Sequence, residues 1–145
     1  MTLRQWAENG WLKSHKTSSV EITNLLKIIE RDLVDAKGVI SDDWKFGIAY
    51  NAALKLCNIL LYAEGYKPER NLGHYRSIHA LPIILGEDRR KDASYLDTCR
   101  TMRNIAEYDY VGSVTGENAE ELFEFVKEFK RDVIAWLERN HPELI

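Results

Sequence analysis

The chain has 145 residues, 45% of them hydrophobic and 30% charged, which fits one folded domain and excludes a disordered polyelectrolyte. A net charge of -3 excludes a polycation built for bulk DNA binding. The two cysteines, Cys57 and Cys99, stand at no metal-site or redox-motif spacing, which excludes a disulfide scaffold and makes them reduced core residues of a reducing compartment.

Met1 to Lys16 is mixed polar, without the pattern of a secretory leader, and predicts a short helix around Leu3–Glu8 broken near Gly10. Ser18 followed by Glu21 reads as a capping box that opens the next helix. Ile22, Leu25, Leu26, Ile29, Leu33, Ala36 and Ile40 then form an apolar stripe at helical spacing, with an end expected near Val39–Ser41. Ser41-Asp42-Asp43 supplies an N-cap with acids in the first turn. The helix from Asp42 to about Glu64 is apolar on most sides, from Trp44 and Phe46 through Leu60 and Leu61, so it is expected at the centre. Lys45, Asn51, Lys55 and Asn58 interrupt it, which argues for a buried helix over a membrane span and for a cytoplasmic protein.

Gly65, Tyr66 and Pro68 read as a stop signal, and 68–72 as a loop. His74, Ile78, Leu81 and Leu85 share a helical face that Pro82 kinks or splits, and Gly86 closes it. Asp88 to about Tyr108 is the next helix, with Leu96, Cys99, Met102 and Ala106 inward. Val111-Gly112-Ser113 is a break. Thr115 or Ser113 caps a last helix whose stripe runs from Ala119 to Leu137, and Pro142 marks its end. No run reads as a strand. Short connections between long amphipathic helices predict an all-α antiparallel four-helix-type bundle with additional short helices: one domain over 1–145, with 1–16 a short helical segment and 18–144 the bundle.

The charge is uneven along the chain. Residues 67–103 carry 8 basic and 5 acidic side chains, whereas 104–145 carry 4 and 10. A basic middle suits phosphate, and a solvated surface accounts for it equally well. No metal site is expected, because His74 and His79 are five apart and point to different sides of a helix, while His15 and His141 lie towards the ends. His74 reads as a bundle-face histidine that holds the loop after Pro68. There is no nucleophile elbow and no glycine-rich phosphate loop, so no cofactor is implied.

The informative segment is Arg100-Thr101-Met102-Arg103-Asn104-Ile105-Ala106-Glu107-Tyr108-Asp109-Tyr110. Arg103 lies on or beside the buried stripe, where an arginine costs free energy unless an anion meets it. Glu107, one turn later, is its ordinary partner. An RNA phosphate is the functional one, matched by the guanidinium fork.

With Ala49-Tyr50-Asn51-Ala52, Ala63-Glu64-Gly65-Tyr66, Gly73-His74-Tyr75 and Met102-Arg103-Asn104 through Tyr108-Asp109 in that order, the chain from about Ser18 to Leu144 resembles the HEPN-domain proteins, small helical bundles of prokaryotic toxin–antitoxin and defence systems. The resemblance implies a homodimer and a metal-independent endoribonuclease, whose motif is an arginine, a polar residue and a histidine four to six residues downstream. Arg103 and Asn104 match the start of that motif, and Tyr108 fills the expected histidine position. Histidine, with an unperturbed pKa of about 6.5, suits both proton roles of RNA cleavage, whereas tyrosine, at about 10, is a poor base.

The resemblance therefore assigns catalytic positions to Arg103, Asn104 and Tyr108 and RNA contacts to Arg100 and Arg103. It implies a weak or degenerate ribonuclease, or an RNA binder. Tyr110 matches a tyrosine that accepts AMP from a partner nucleotidyltransferase in some members, so a non-catalytic subunit of such a pair is the alternative. A purely structural interaction module is the third reading.

Overall fold

The computed structural model describes residues 1–145. Seven α-helices follow one another: α1 (Leu3–Glu8), α2 (Ser19–Asp35), α3 (Asp42–Ala63), α4 (Gly73–His79), α5 (Leu81–Leu85), α6 (Arg90–Tyr108) and α7 (Gly116–Asn140). Short 3-10 turns at Glu87–Arg89 and Pro142–Leu144 complete the helical set. The fold is all-α, as the sequence leads one to expect.

The pattern on α3 explains its place. Phe46, Ala49, Tyr50, Ala52, Ala53, Leu56, Cys57, Ile59, Leu60 and Leu61 are all buried, so the helix packs on nearly every side, chiefly against α7, α2 and α6. Its length and composition would suffice to cross a membrane, yet 61% of its most apolar stretch is buried inside this fold. Full burial of the Phe, Ile and Leu side chains among them stabilises the fold by roughly 1.5–3 kcal/mol each. Both cysteines are free and buried.

Side-chain pairs link the long helices to one another. Asp32 with Lys55 joins α2 to α3, and Arg89 with Asp132 joins the start of α6 to the second half of α7. The Arg103 guanidinium lies over the Tyr50 ring, and Glu107 approaches Gly47, so α6 runs against α3. By contrast, Lys45 pairs with Glu120 near the starts of α3 and α7, and Glu64 approaches His141 at their ends. These two helices are parallel. The small residues Ala49, Ala52 and Ala53 are fully buried on α3, where they permit close approach of its neighbours.

Several expectations need correction. α2 stops at Asp35 instead of near Val39–Ser41, because Ser41 is taken as the N-cap of α3 and Gly38 precedes it. Ile40 is consequently exposed, as is Trp44 in the first turn of α3. Ser18 caps α2 through the Glu21 amide, but the Glu21 carboxylate turns to His15 Nε2 at 2.7 Å and Thr17 Oγ1 at 2.6 Å, so the box is not closed. Closed capping boxes occur at Thr2–Gln5 and Thr115–Asn118. α6 begins at Arg90, after the 3-10 turn, rather than at Asp88.

The main correction is a pair of strands. β1 (Leu12–Ser14) and β2 (Tyr66–Pro68) pair antiparallel, with Leu12 opposite Pro68 and Ser14 opposite Tyr66. Gly65, at φ +94°, makes the turn from α3 into β2 that other residues adopt only with strain. Three-residue strands are too short to show a period of two, which is why the residues read as a stop and a loop. Trp6, Leu12, Leu61 and Ala80 form a small second core beneath this ribbon.

Candidate functional site

The ribbon positions the loop that follows it. The Glu69 amide donates to the Trp11 carbonyl at 2.9 Å, and the Glu69 carboxylate accepts from the Asn71 amide at 3.0 Å. Arg76 of α4 lies 3.9 Å from the Trp11 ring centroid, a cation–π contact that ties α4 to the same support. The loop and α4 are thereby held against α6. Between them is a pocket of about 320 Å³ whose polar lining is Arg70, Asn71, His74, Tyr75, Arg100 and Asn104, with Leu72 and Gly73.

Three of the pocket side chains, Arg100, Asn104 and His74, have a defined support. Arg100 donates through Nε to Asp97 Oδ1 at 2.9 Å, which aims its guanidinium while the Nη groups stay available. Asn104 accepts at Oδ1 from Arg103 Nη1 at 3.3 Å, so its amide NH₂ is what remains to offer. His74 Nδ1 lies 3.2 Å from the hydroxyl of the buried Tyr50. Desolvation, then the positive charges of Arg103 and Arg100, hold the His74 imidazole below its ordinary pKa and favour the neutral ring.

Arg103 lies behind this pocket. Its side chain is 16% exposed, its Nε is 3.3 Å from Glu107 Oε1, and its guanidinium lies 5.7 Å from the Tyr50 ring centroid. Gly47 faces the pair: a Cβ there would stand 3.6 Å from Glu107 Oε1, an ordinary contact distance. The Arg103 Nε is buried without a hydrogen bond, so the Glu107 contact acts by charge rather than by a well-aligned bond. The ordinary partner anticipated for Arg103 is thus in place, and the residue adds positive potential to the pocket from the side.

Of the residues the sequence singled out, Arg100 and Asn104 line the pocket directly and Arg103 adjoins it through Asn104. Tyr108 does not line it; one turn beyond Asn104, it is 73% exposed. Tyr110 is 69% exposed, in the segment after α6 that the Gly112 amide anchors by donating to Asp43 Oδ2 at 2.7 Å. His74 does meet the loop after Pro68, and it also lies at the same pocket as Arg100 and Asn104. Arg70 and His74 are the site residues that sequence reasoning missed. The signal for Arg70 was the surplus of basic residues between 67 and 103, and His74 was read only as a support for the loop after Pro68.

No group of three or more His, Cys, Asp or Glu side chains is placed to hold a metal ion. The arrangement offers hydrogen-bond donors and positive charge, which suits binding an oxyanion and neutralising charge that builds on it. Comparison with protein-family models, curated proteins and solved structures finds no match to this chain.

Proposed function

We propose that this chain is a HEPN-like RNA-binding protein whose phosphate contacts are made at the pocket between α4 and α6. The observation that carries this reading is the convergence of Arg70, His74, Arg100 and Asn104 from a loop and two helices on one pocket. Such a set gives charge-assisted hydrogen bonds to a backbone phosphate. Tyr75, also at the pocket, has its ring against His79, with centroids 4.2 Å apart, and adds a hydroxyl to the lining.

Catalysis on this reading is weak or lost. The exposed Tyr108 occupies the motif position where the resemblance asks for histidine, and tyrosine is a poor base near neutral pH. The resemblance adds a homodimer, a toxin–antitoxin or defence setting and a cytoplasmic location. The test is RNA binding at low salt, followed by RNA cleavage in EDTA, with Arg100→Ala and Arg103→Ala alongside. Binding that weakens in Arg100→Ala supports the reading. Absence of binding at low salt, where phosphate contacts are strongest, removes it. Cleavage that survives EDTA and is lost in Arg103→Ala identifies a metal-independent ribonuclease.

The second reading, a non-catalytic subunit that works with a nucleotidyltransferase, draws on one observation. The Tyr110 side chain is exposed, as an AMP acceptor must be. Stable association of the purified chain with such an enzyme, and AMP transfer that Tyr110→Phe abolishes, would favour it over the first.

A further inference from the structure

We propose that the pocket between α4 and α6 is a phosphate-ester site in which neutral His74 acts as a hydrogen-bond donor through Nε2, its tautomer fixed by the Tyr50 hydroxyl. The inference deepens the RNA reading and rests on the same pocket, but it requires only a phosphate ester, not a polynucleotide.

Tyr50 fixes the tautomer. Its side chain is 1% exposed, and the hydroxyl has a single side-chain partner, His74 Nδ1 at 3.2 Å. A phenol keeps its proton at neutral pH, and a buried hydroxyl proton without an acceptor is costly. The hydroxyl therefore donates to Nδ1. That nitrogen is then the ring's acceptor, and the hydrogen of the neutral imidazole sits on Nε2. Burial, which raises the Tyr50 pKa far above the ordinary phenol, acts in the same sense.

The other pocket groups are donors for their own reasons. Asn104 Oδ1 is taken by Arg103, so its NH₂ is the free end. The Arg100 Nε is taken by Asp97, so its Nη groups remain. Arg70 adds a second guanidinium from the loop, and no carboxylate lines the pocket. Four side chains from three segments offer donors and no acidic acceptor. That number and spread match the several oxygens of a tetrahedral phosphate better than the two coplanar oxygens of a carboxylate. A His74 that carries its hydrogen on Nε2 has no lone pair there to act as a general base. The site is therefore arranged to hold a phosphate ester.

The experiment is nitrogen-15 NMR of the full chain labelled at histidine, near neutral pH. His74 is expected to show an unprotonated Nδ1 and a protonated Nε2, a preference that Tyr50→Phe removes. The protein is then titrated with inorganic phosphate, AMP as a monoester, ApA as a diester, and acetate as a control. His74 is expected to shift with a phosphate ester and not with acetate. Tyr50→Phe is expected to weaken that binding roughly fivefold, the worth of one neutral hydrogen bond. His74→Gln, which retains a donor, is expected to bind better than His74→Ala.

Response to AMP alone assigns the site to terminal phosphates, and response to ApA assigns it to the backbone diester. A hydrogen on Nδ1, or a His74 signal unmoved by inorganic phosphate, AMP and ApA alike, overturns the proposal. The two readings fail separately. AMP binding at His74 without RNA binding removes the RNA reading and leaves this one. RNA binding that is unchanged in Tyr50→Phe and His74→Ala removes this one and leaves the RNA reading.

Discussion

The Tyr50 hydroxyl on α3 lies 3.2 Å from His74 Nδ1 on α4, so a histidine remote in sequence from Arg103 shares a pocket with Asn104 and Arg100. The pocket's donors are thus drawn from the meeting of α4 and α6 rather than from α6 alone. Arg103 and Arg100, three residues apart, stand differently towards it: Arg100 lines the pocket and Arg103 adjoins it through Asn104.

That division predicts opposite outcomes for two alanine variants. Arg103→Ala removes a mostly buried side chain over Tyr50 and leaves Glu107 without its cation. Chemical denaturation is expected to show a loss of roughly 1–3 kcal/mol. Arg100→Ala removes a half-buried side chain whose protein partner is on its own helix. Its stability is expected to change by less than about 1 kcal/mol, as for other surface ion pairs, while phosphate and RNA affinity fall.

Gly47 gives a size-dependent prediction. A Cβ there would be 3.6 Å from Glu107 Oε1, an ordinary contact distance, so Gly47→Ala is expected to be neutral or to stabilise by up to about 1 kcal/mol through helix propensity. Gly47→Leu is expected to displace Glu107 and destabilise by roughly 1–3 kcal/mol, since added volume in a packed position is poorly tolerated. Thermal melts of the two variants separate these outcomes.

His74 makes a pH prediction. The groups that face it are Tyr50 from α3, Arg100 and Arg103 from α6, Arg70 from the loop and Tyr75 from its own helix. Desolvation and the two α6 arginines depress its folded pKa below the unfolded value. The unfolded chain therefore binds the proton first. The stabilisation that goes with neutral His74 is complete above the unfolded pKa, about 6.5, and is lost as pH falls through the lower folded value. His74→Gln is expected to lose less stability than the wild type between about pH 7 and pH 5.

Much of the fold is legible in the residues themselves. The stripes on α2 and α7 and the nearly uniform apolarity of α3 follow from helical periodicity, and Pro82 does divide α4 from α5. The three-residue strands are not legible, because so few residues show no alternation and their pairing is between distant segments. The site divides in the same way. Arg100, Arg103 and Asn104 stand out because a single helix presents them together. His74 and Arg70 join them only when the β1–β2 ribbon and the Trp11–Arg76 contact carry their loop against α6, a relationship set by tertiary packing and absent from local spacing.

The ribbon's part in the site can be tested directly. Trp11→Ala removes the ring under Arg76 and part of the small N-terminal cluster. It is expected to destabilise the chain by roughly 1–3 kcal/mol and to weaken phosphate binding, although Trp11 does not touch the pocket. Unaltered phosphate affinity in a folded Trp11→Ala protein would show that the loop holds its place without the ribbon.

The most direct test of the central claim is fluorescence anisotropy of a labelled single-stranded RNA with the full chain, repeated across salt from about 50 to 200 mM. The account predicts binding at low salt that weakens as salt rises. Arg100→Ala is expected to lower the affinity and flatten the log–log salt slope by about 0.7, the share of one phosphate contact on a single strand. No binding at the lowest salt, or binding whose strength and salt slope are the same in wild type and Arg100→Ala, would contradict it.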